Sequence, residues 1–233
     1  MTALSIVQNV CGRLGLQVPA VVFASTDQQV IQLRSLMNQE GADLADKLNW
    51  QDLQTEWNFD TVATAVQTSA IASDFDRIIN GTMWDRTSDR PVYGPLNALE
   101  WQREKAGPTF TSVYYAFRIR GNDMLITPTP TAGLSIYYEY VTNQWATDTT
   151  GATGKTAMTA DDDVAKLSEE IITLGVIWRF KQAKGLMYDQ EKMTYDDEIA
   201  QTMARDGGSP ILNLSYTMPY RRYQPNVPEG NWP

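Results

Sequence analysis

Histidine is missing from all 233 residues, and cysteine occurs once, at Cys11. The first absence removes the commonest general base, every Ser-His or Cys-His nucleophile, and most zinc or iron sites, which rely on imidazole ligands. The second excludes an intrachain disulfide, so the fold does not depend on an oxidising compartment and cytoplasmic synthesis is the default expectation. Long basic runs are also lacking. The chain sets 19 Lys and Arg against 28 Asp and Glu, a net −9, and nucleic-acid phosphates repel such a chain unless its bases cluster. The densest basic region, residues 77 to 120, holds seven bases against four acids over several expected elements, so sequence-specific DNA recognition is not expected. No apolar run approaches the roughly 18 residues of a membrane span. The opening MTALSIVQNVCGRLGL lacks the basic start and small-residue cleavage site of a signal peptide, so the mature protein is expected to be the whole chain.

What is present is a globular composition, 42% hydrophobic and 10% aromatic, large enough for a sizeable core. Leu4, Val7, Val10 and Leu14 recur at helical spacing before Gly15, which suits a C-cap, so a short amphipathic helix is expected. Ser25 to Gln28 has the form of a capping box for a long helix whose core face is Val30, Leu33, Met37, Leu44 and Leu48. From Trp50 the texture turns strand-like. Phe117, Ile119, Leu125 and Ile126 flank Gly121-Asn122 in the clearest hairpin, Tyr114 to Thr127, and a further strand is expected at Leu134 to Val141. Asn97 is placed to cap a short helix from Ala98 to Lys105. Residues 146 to 163 hold almost no large apolar side chain and read as a surface loop or link with nothing to give a core. Helical periodicity returns at Val164, Leu167, Ile171, Leu174, Ile177 and Trp178, with Asp161 to Asp163 at the expected N-terminal end, and again from Met187 to Arg205 beyond Gly185.

Together these patterns give an α+β fold: a discontinuous helical bundle from residues 1–50 and 160–206, an inserted antiparallel β-rich domain at 51–145, a linker at 146–159, and an extended arm at 207–233.

Candidate catalytic and ligand motifs are weak. Gly154-Lys155-Thr156 resembles the end of a phosphate loop, but position 149, where the first glycine belongs, is Thr149. Asp161 to Asp163, or Asp74 with Asp76, lack the spacing of a cation loop, and no pair of acids is marked for hydrolysis. Cys11 sits beside an apolar stripe as a small core residue. No catalytic residue, cofactor or metal is expected. The aromatics Trp57, Trp84, Trp101, Tyr114, Tyr115, Tyr137 and Tyr138 could bind sugars but fit strand packing better.

The arm is different. It carries five of the eleven prolines, so it cannot be helical, yet it has too many large apolar groups for an ordinary disordered end. Such a segment gains order by lying across another chain, and Ile211, Leu212, Leu214, Tyr216, Tyr220, Arg221, Arg222 and Tyr223 are its candidate partner-binding residues. Its net charge is +1 where residues 161 to 206 carry −5, so an acidic neighbour is electrostatically suitable.

The opening MTALSIVQNVCGRLGL, the stretches DFDRIINGTMWDRTSDRPVYGPLNALEWQ and YYAFRIRGNDMLITPTP, and the closing ITLGVIWRFKQAKGL with MARDGGSPILN resemble the head-to-tail adaptor (connector) proteins of tailed bacteriophages, over nearly the whole chain. The resemblance implies a non-enzymatic virion protein at the neck, forming a ring of about twelve copies. That ring would dock on the portal protein, extend the channel through which double-stranded DNA passes, and offer the tail a platform. The arm would then meet the portal or a neighbouring subunit. The alternative from a different class is a β-rich carbohydrate- or receptor-binding tail module, motivated by the aromatic middle.

Overall fold

A computed structural model describes residues 2–106 and 114–207. The arm residues Ile211 to Tyr223 named above lie outside this range.

The first helix, α1 (Ala3–Leu14), starts where Thr2 accepts a hydrogen bond from the Ser5 amide and stops at Gly15, whose φ of 68° suits a residue without Cβ. The second, α2 (Gln28–Lys47), corrects the expected cap: the residue that closes its N-terminus is Asp27, whose carboxylate accepts from the Gln29 amide at 2.8 Å, while Ser25 accepts from the Asp27 amide outside the helix. After a single 3₁₀ turn (Gln51–Leu53) the chain enters its strands, β1 (Gln54–Asp60), β2 (Val66–Gln67), β3 (Phe75–Ile78), β4 (Trp84–Asp85) and β5 (Arg90–Pro91). The short α3 (Ala98–Ala106) follows, closed by a reciprocal box in which Asn97 and Glu100 accept each other's amide protons. The expected hairpin is β6 (Ala116–Arg120) and β7 (Asp123–Thr127) around Gly121 at φ 62°, and the long β8 (Ser135–Thr142) comes next. The remaining elements are β9 (Ala146–Thr147), β10 (Gly154–Lys155), β11 (Val164–Ala165), α4 (Glu169–Ala183) and α5 (Asp189–Asp206).

The largest sheet is organised on β8, which pairs with β1 along one edge, Phe59 opposite Ile136 and Trp57 opposite Tyr138, while β3 and β4 share its other edge and β5 adds to β4. Ile136, Tyr138 and Tyr140 point to one side, as their alternation requires, and join Phe59, Met83, Phe117, Met124 and Ile126 in a single apolar cluster. The hairpin contributes to that cluster from a separate sheet of order β2-β7-β6.

A second cluster fills the helical bundle, from Ile6, Val7 and Val10 through Leu33, Met37 and Leu44 to Ile171, Ile172, Val176 and Phe180. Helix α4 is the middle of this bundle, with α1, α2 and α5 all packed on it, and it is buried around most of its circumference. The expected one-sided stripe therefore describes it incompletely.

The segment after residue 145 differs from expectation in two ways. Residues 146 to 163 do feed the core: Ala146 and Met158 are buried with Trp145 among the bundle side chains, and β9 holds β10 and β11 in a small antiparallel sheet. Small and polar residues suffice here because Trp145 supplies the bulk, its ring seated on Gly41, where a Cβ would lie 2.4 Å from the indole. The second difference is the start of the helix. Val164 and Ala165 are strand, and α4 begins at Glu169. Asp161 instead accepts the amides of Val22 and Phe23 at 2.9 and 2.8 Å, and buried Asp163 accepts those of Thr159 and Ala160 at 2.6 and 2.9 Å. These carboxylates thus tie loops where a helix dipole was expected to hold them.

Candidate interaction surface

Helix α5 carries the chain toward the arm, and a polar network centred on Glu40 of α2 joins it to the bundle. Tyr195 on α5 donates to the Glu40 carboxylate of α2, which is completely buried. Arg179 on α4 donates through Nε to the other Glu40 oxygen at 2.5 Å and through Nη2 to Asp43 at 2.8 Å. Lys47 donates to the Tyr195 hydroxyl at 3.1 Å. Gly175 makes room for Glu40, since a Cβ there would meet the carboxylate at 2.2 Å. Burial pushes the Glu40 carboxyl above its ordinary range against the opposing pull of Tyr195 and Arg179, and attraction to Glu40 and Asp43 outweighs burial to hold Arg179 charged. Sequence reasoning missed this network. Its only signal is an acid three residues after Met37 and four before Leu44, on the apolar stripe of α2.

At the other end of α5, Asp206 accepts the Gln51 amide at 3.0 Å, so the described chain ends against the 3₁₀ turn. Beside it opens a cavity of about 210 Å³ with Leu44, Trp50, Leu167 and Ile171 in its wall and Lys166, Thr202 and Asp206 among its polar residues. Burial holds the Lys166 ammonium below the ordinary lysine range, with Asp74 acting in the opposite sense.

The weaker motifs have structural occupations. Lys155 of the Gly-Lys-Thr tripeptide is in a strand, and its ammonium sits 2.5 Å from Asp163 and 3.2 Å from Thr159. Burial would raise the Asp163 carboxyl, but Lys155 and the Thr159 and Ala160 amides outweigh it and hold the group below its ordinary range. Asp74 accepts from the Tyr140 and Thr142 hydroxyls, both at 2.8 Å, and Asp76 pairs with Arg77. Cys11 is buried in the bundle core, and that burial raises its thiol. Among the described residues no group of three or more His, Cys, Asp or Glu could hold a metal, and no helix is long and apolar enough to cross a membrane.

The aromatics of the middle divide. Tyr138 and Trp101 are buried, the former donating to the Ala70 carbonyl at 2.7 Å; Trp57, Trp84, Tyr115 and Tyr137 are half-buried, and Arg86 lies 3.6 Å over the Tyr137 ring. Tyr114 alone of this set is exposed. Apolar surface is more prominent on the bundle, at Val18 and Val21 between α1 and α2, and at Leu186, Met187 and Met193 around the α4–α5 turn.

Comparison with curated proteins gave no match. Against protein families, residues 1–215 match the profile described as SU10 adaptor protein. The chain therefore belongs to the SU10 adaptor protein family, a family of structural bacteriophage adaptors.

Proposed function

We propose that this adaptor assembles as a ring of about twelve copies below the portal, extends the DNA channel and gives the tail its attachment platform. The observation that carries the reading is the family match across residues 1–215, which spans the bundle, the sheets and the first residues of the arm alike. The helices supply the ring body, the β-rich insert a projecting module, and Ile211, Leu212, Leu214, Tyr216, Tyr220, Arg221, Arg222 and Tyr223 the contact with the portal or a neighbouring subunit. Aromatic and arginine residues are the types that anchor such contacts. The net −9 of each copy suits a channel through which double-stranded DNA slides, because like charge disfavours sticking to phosphates and salt screens the residual repulsion. The assembled protein resides in the virion neck after synthesis in the bacterial cytoplasm.

The test is native mass, measured for the purified chain alone and mixed with the portal ring of the same phage, using full-length protein and protein ending at Gly208. The expected result is a portal complex carrying about twelve full-length copies, lost on truncation. Full-length protein that stays a small oligomer and never binds the portal overturns the reading.

A further inference from the structure

The cavity at the end of α5 has a wall that the bundle itself holds in place. Leu44, Trp50, Leu167 and Ile171 line it, all of them buried. The Trp50 indole donates to the Leu44 carbonyl at 2.7 Å, and across the cavity the Lys166 amide donates to the Trp145 carbonyl at 2.9 Å. At about 210 Å³ the space exceeds the roughly 150 Å³ in which an apolar protein cavity takes up benzene, which is room for an aliphatic side chain or two.

Its polar lining is unused. Ser168 stands at the cap position of α4, yet its hydroxyl makes no capping hydrogen bond. Among the described residues neither that hydroxyl, nor the Thr202 hydroxyl, nor the Lys166 ammonium has a hydrogen-bond partner. Lys166 is also partly desolvated, so an acceptor brought to it counts for more there than in water. Apolar walls with free donors beside them suit a peptide, whose side chains fill the hollow while its carbonyls accept from the donors.

The chain supplies such a peptide at the mouth of the cavity. Asp206, one of the lining residues, is tied to Gln51, and residues 208–233 continue from there outside the described range. Residues 207–215 read GGSPILNLS. They carry no charge, so Asp52 and Asp206 at the cavity do not repel them. Gly207, Gly208 and Pro210 are turn formers, and Leu212 and Leu214 share one face of an extended run. Leu212 is five residues past Gly207, a reach of up to about 17 Å, enough to turn back over a cavity that begins at Asp206. So short a tether holds the segment at roughly millimolar local concentration, ahead of the same segment from a free copy. The family match also closes on this segment, at residue 215, and leaves Tyr216 to Tyr223 beyond it.

We propose that the root of the arm folds back on its own subunit: Leu212 and Leu214 enter the cavity against Trp50, Leu167 and Ile171, and Lys166, Ser168 and Thr202 donate to the backbone carbonyls of that segment. The inference deepens the arm's part in the reading above, and its outward half rests on that reading. The root is an intramolecular anchor, and Tyr216 to Tyr223 run outward from it to the portal or a neighbouring subunit. Fixing where the arm leaves the body lowers the ordering cost of that outer contact.

The test places Asp52→Cys, at an exposed position beside the cavity, together with Asn213→Cys in full-length protein treated with a short bismaleimide. Buried Cys11 stays in place. The expected result is a cross-link within one chain, formed at a rate independent of protein concentration, slowed about tenfold by Leu212→Asp with Leu214→Asp and left near its value by Ile211→Asp, which faces the other way in an extended run. In parallel, protein ending at Ser215 melts with the full-length chain, and protein ending at Gly208 melts roughly 5 °C lower, because only the first fills the cavity. A cross-linking rate indifferent to both leucines, equal melting of the two truncations, or cross-links that form only between copies overturns the anchor. The ring is read separately, by native mass with the portal: a ring without the intrachain cross-link removes the anchor alone, and the cross-link without a ring removes the ring reading alone.

Discussion

Glu40 is the residue whose chemistry reaches furthest. Its carboxylate is fully buried, and Arg179 and Tyr195 are what make that burial tolerable. Removing Arg179 strands the charge: Arg179→Ala is expected to cost about 3–5 kcal/mol at neutral pH. The pH dependence follows from the direction of the Glu40 shift. Its folded-state value lies above the ordinary one, so within that window the unfolded chain gives up its proton first and stability falls as pH rises. The contribution is fully present below the window. Arg179→Ala widens it, so urea midpoints of the variant should recover as pH is lowered toward the ordinary glutamate range, and Arg179→Ala with Glu40→Gln should recover much of the loss at neutral pH. A loss independent of pH would show that packing of the Arg179 stem dominates.

At the scale of elements, what was legible follows from local chemistry. The caps at Gly15 and Asn97, the Gly121-Asn122 hairpin and the alternation of Ile136, Tyr138 and Tyr140 depend on neighbours within a few residues, and sequence displays those directly. The failures involve partners far along the chain. Asp161 and Asp163 could be taken for a helix start because nothing nearby reveals that they serve the Val22, Phe23, Thr159 and Ala160 amides. Residues 146 to 163 looked unable to join a core because what carries them in is distant in sequence: Trp145 beside them seats on Gly41 of α2, and Asn38 of α2 bonds both backbone groups of Met158. The buried ion pair was invisible for the same reason: Glu40 and Arg179 are ordinary surface types until α2 and α4 pack. Gly41→Ala should therefore destabilise by about 1–3 kcal/mol, its Cβ driven into the Trp145 ring. Gly12→Ala on α1, whose Cβ meets nothing, should instead gain about 0.4–1 kcal/mol. Thermal melts of the pair check this, and equal effects would mean that helix propensity alone decides both sites.

For the whole molecule, function rests on surfaces and their repetition. The candidate arm residues, which the sequence singled out by their prolines and aromatics, lie outside the described residues. A sequence marks a segment too apolar to stand alone more readily than a patch assembled from a helix face. The central claim is a ring at the head–tail interface, and image reconstruction of the neck in intact phage particles tests it most directly. The account predicts about twelve copies of this α+β subunit around the channel immediately below the portal. A neck without it, or its density found at the tail tip, would contradict the account.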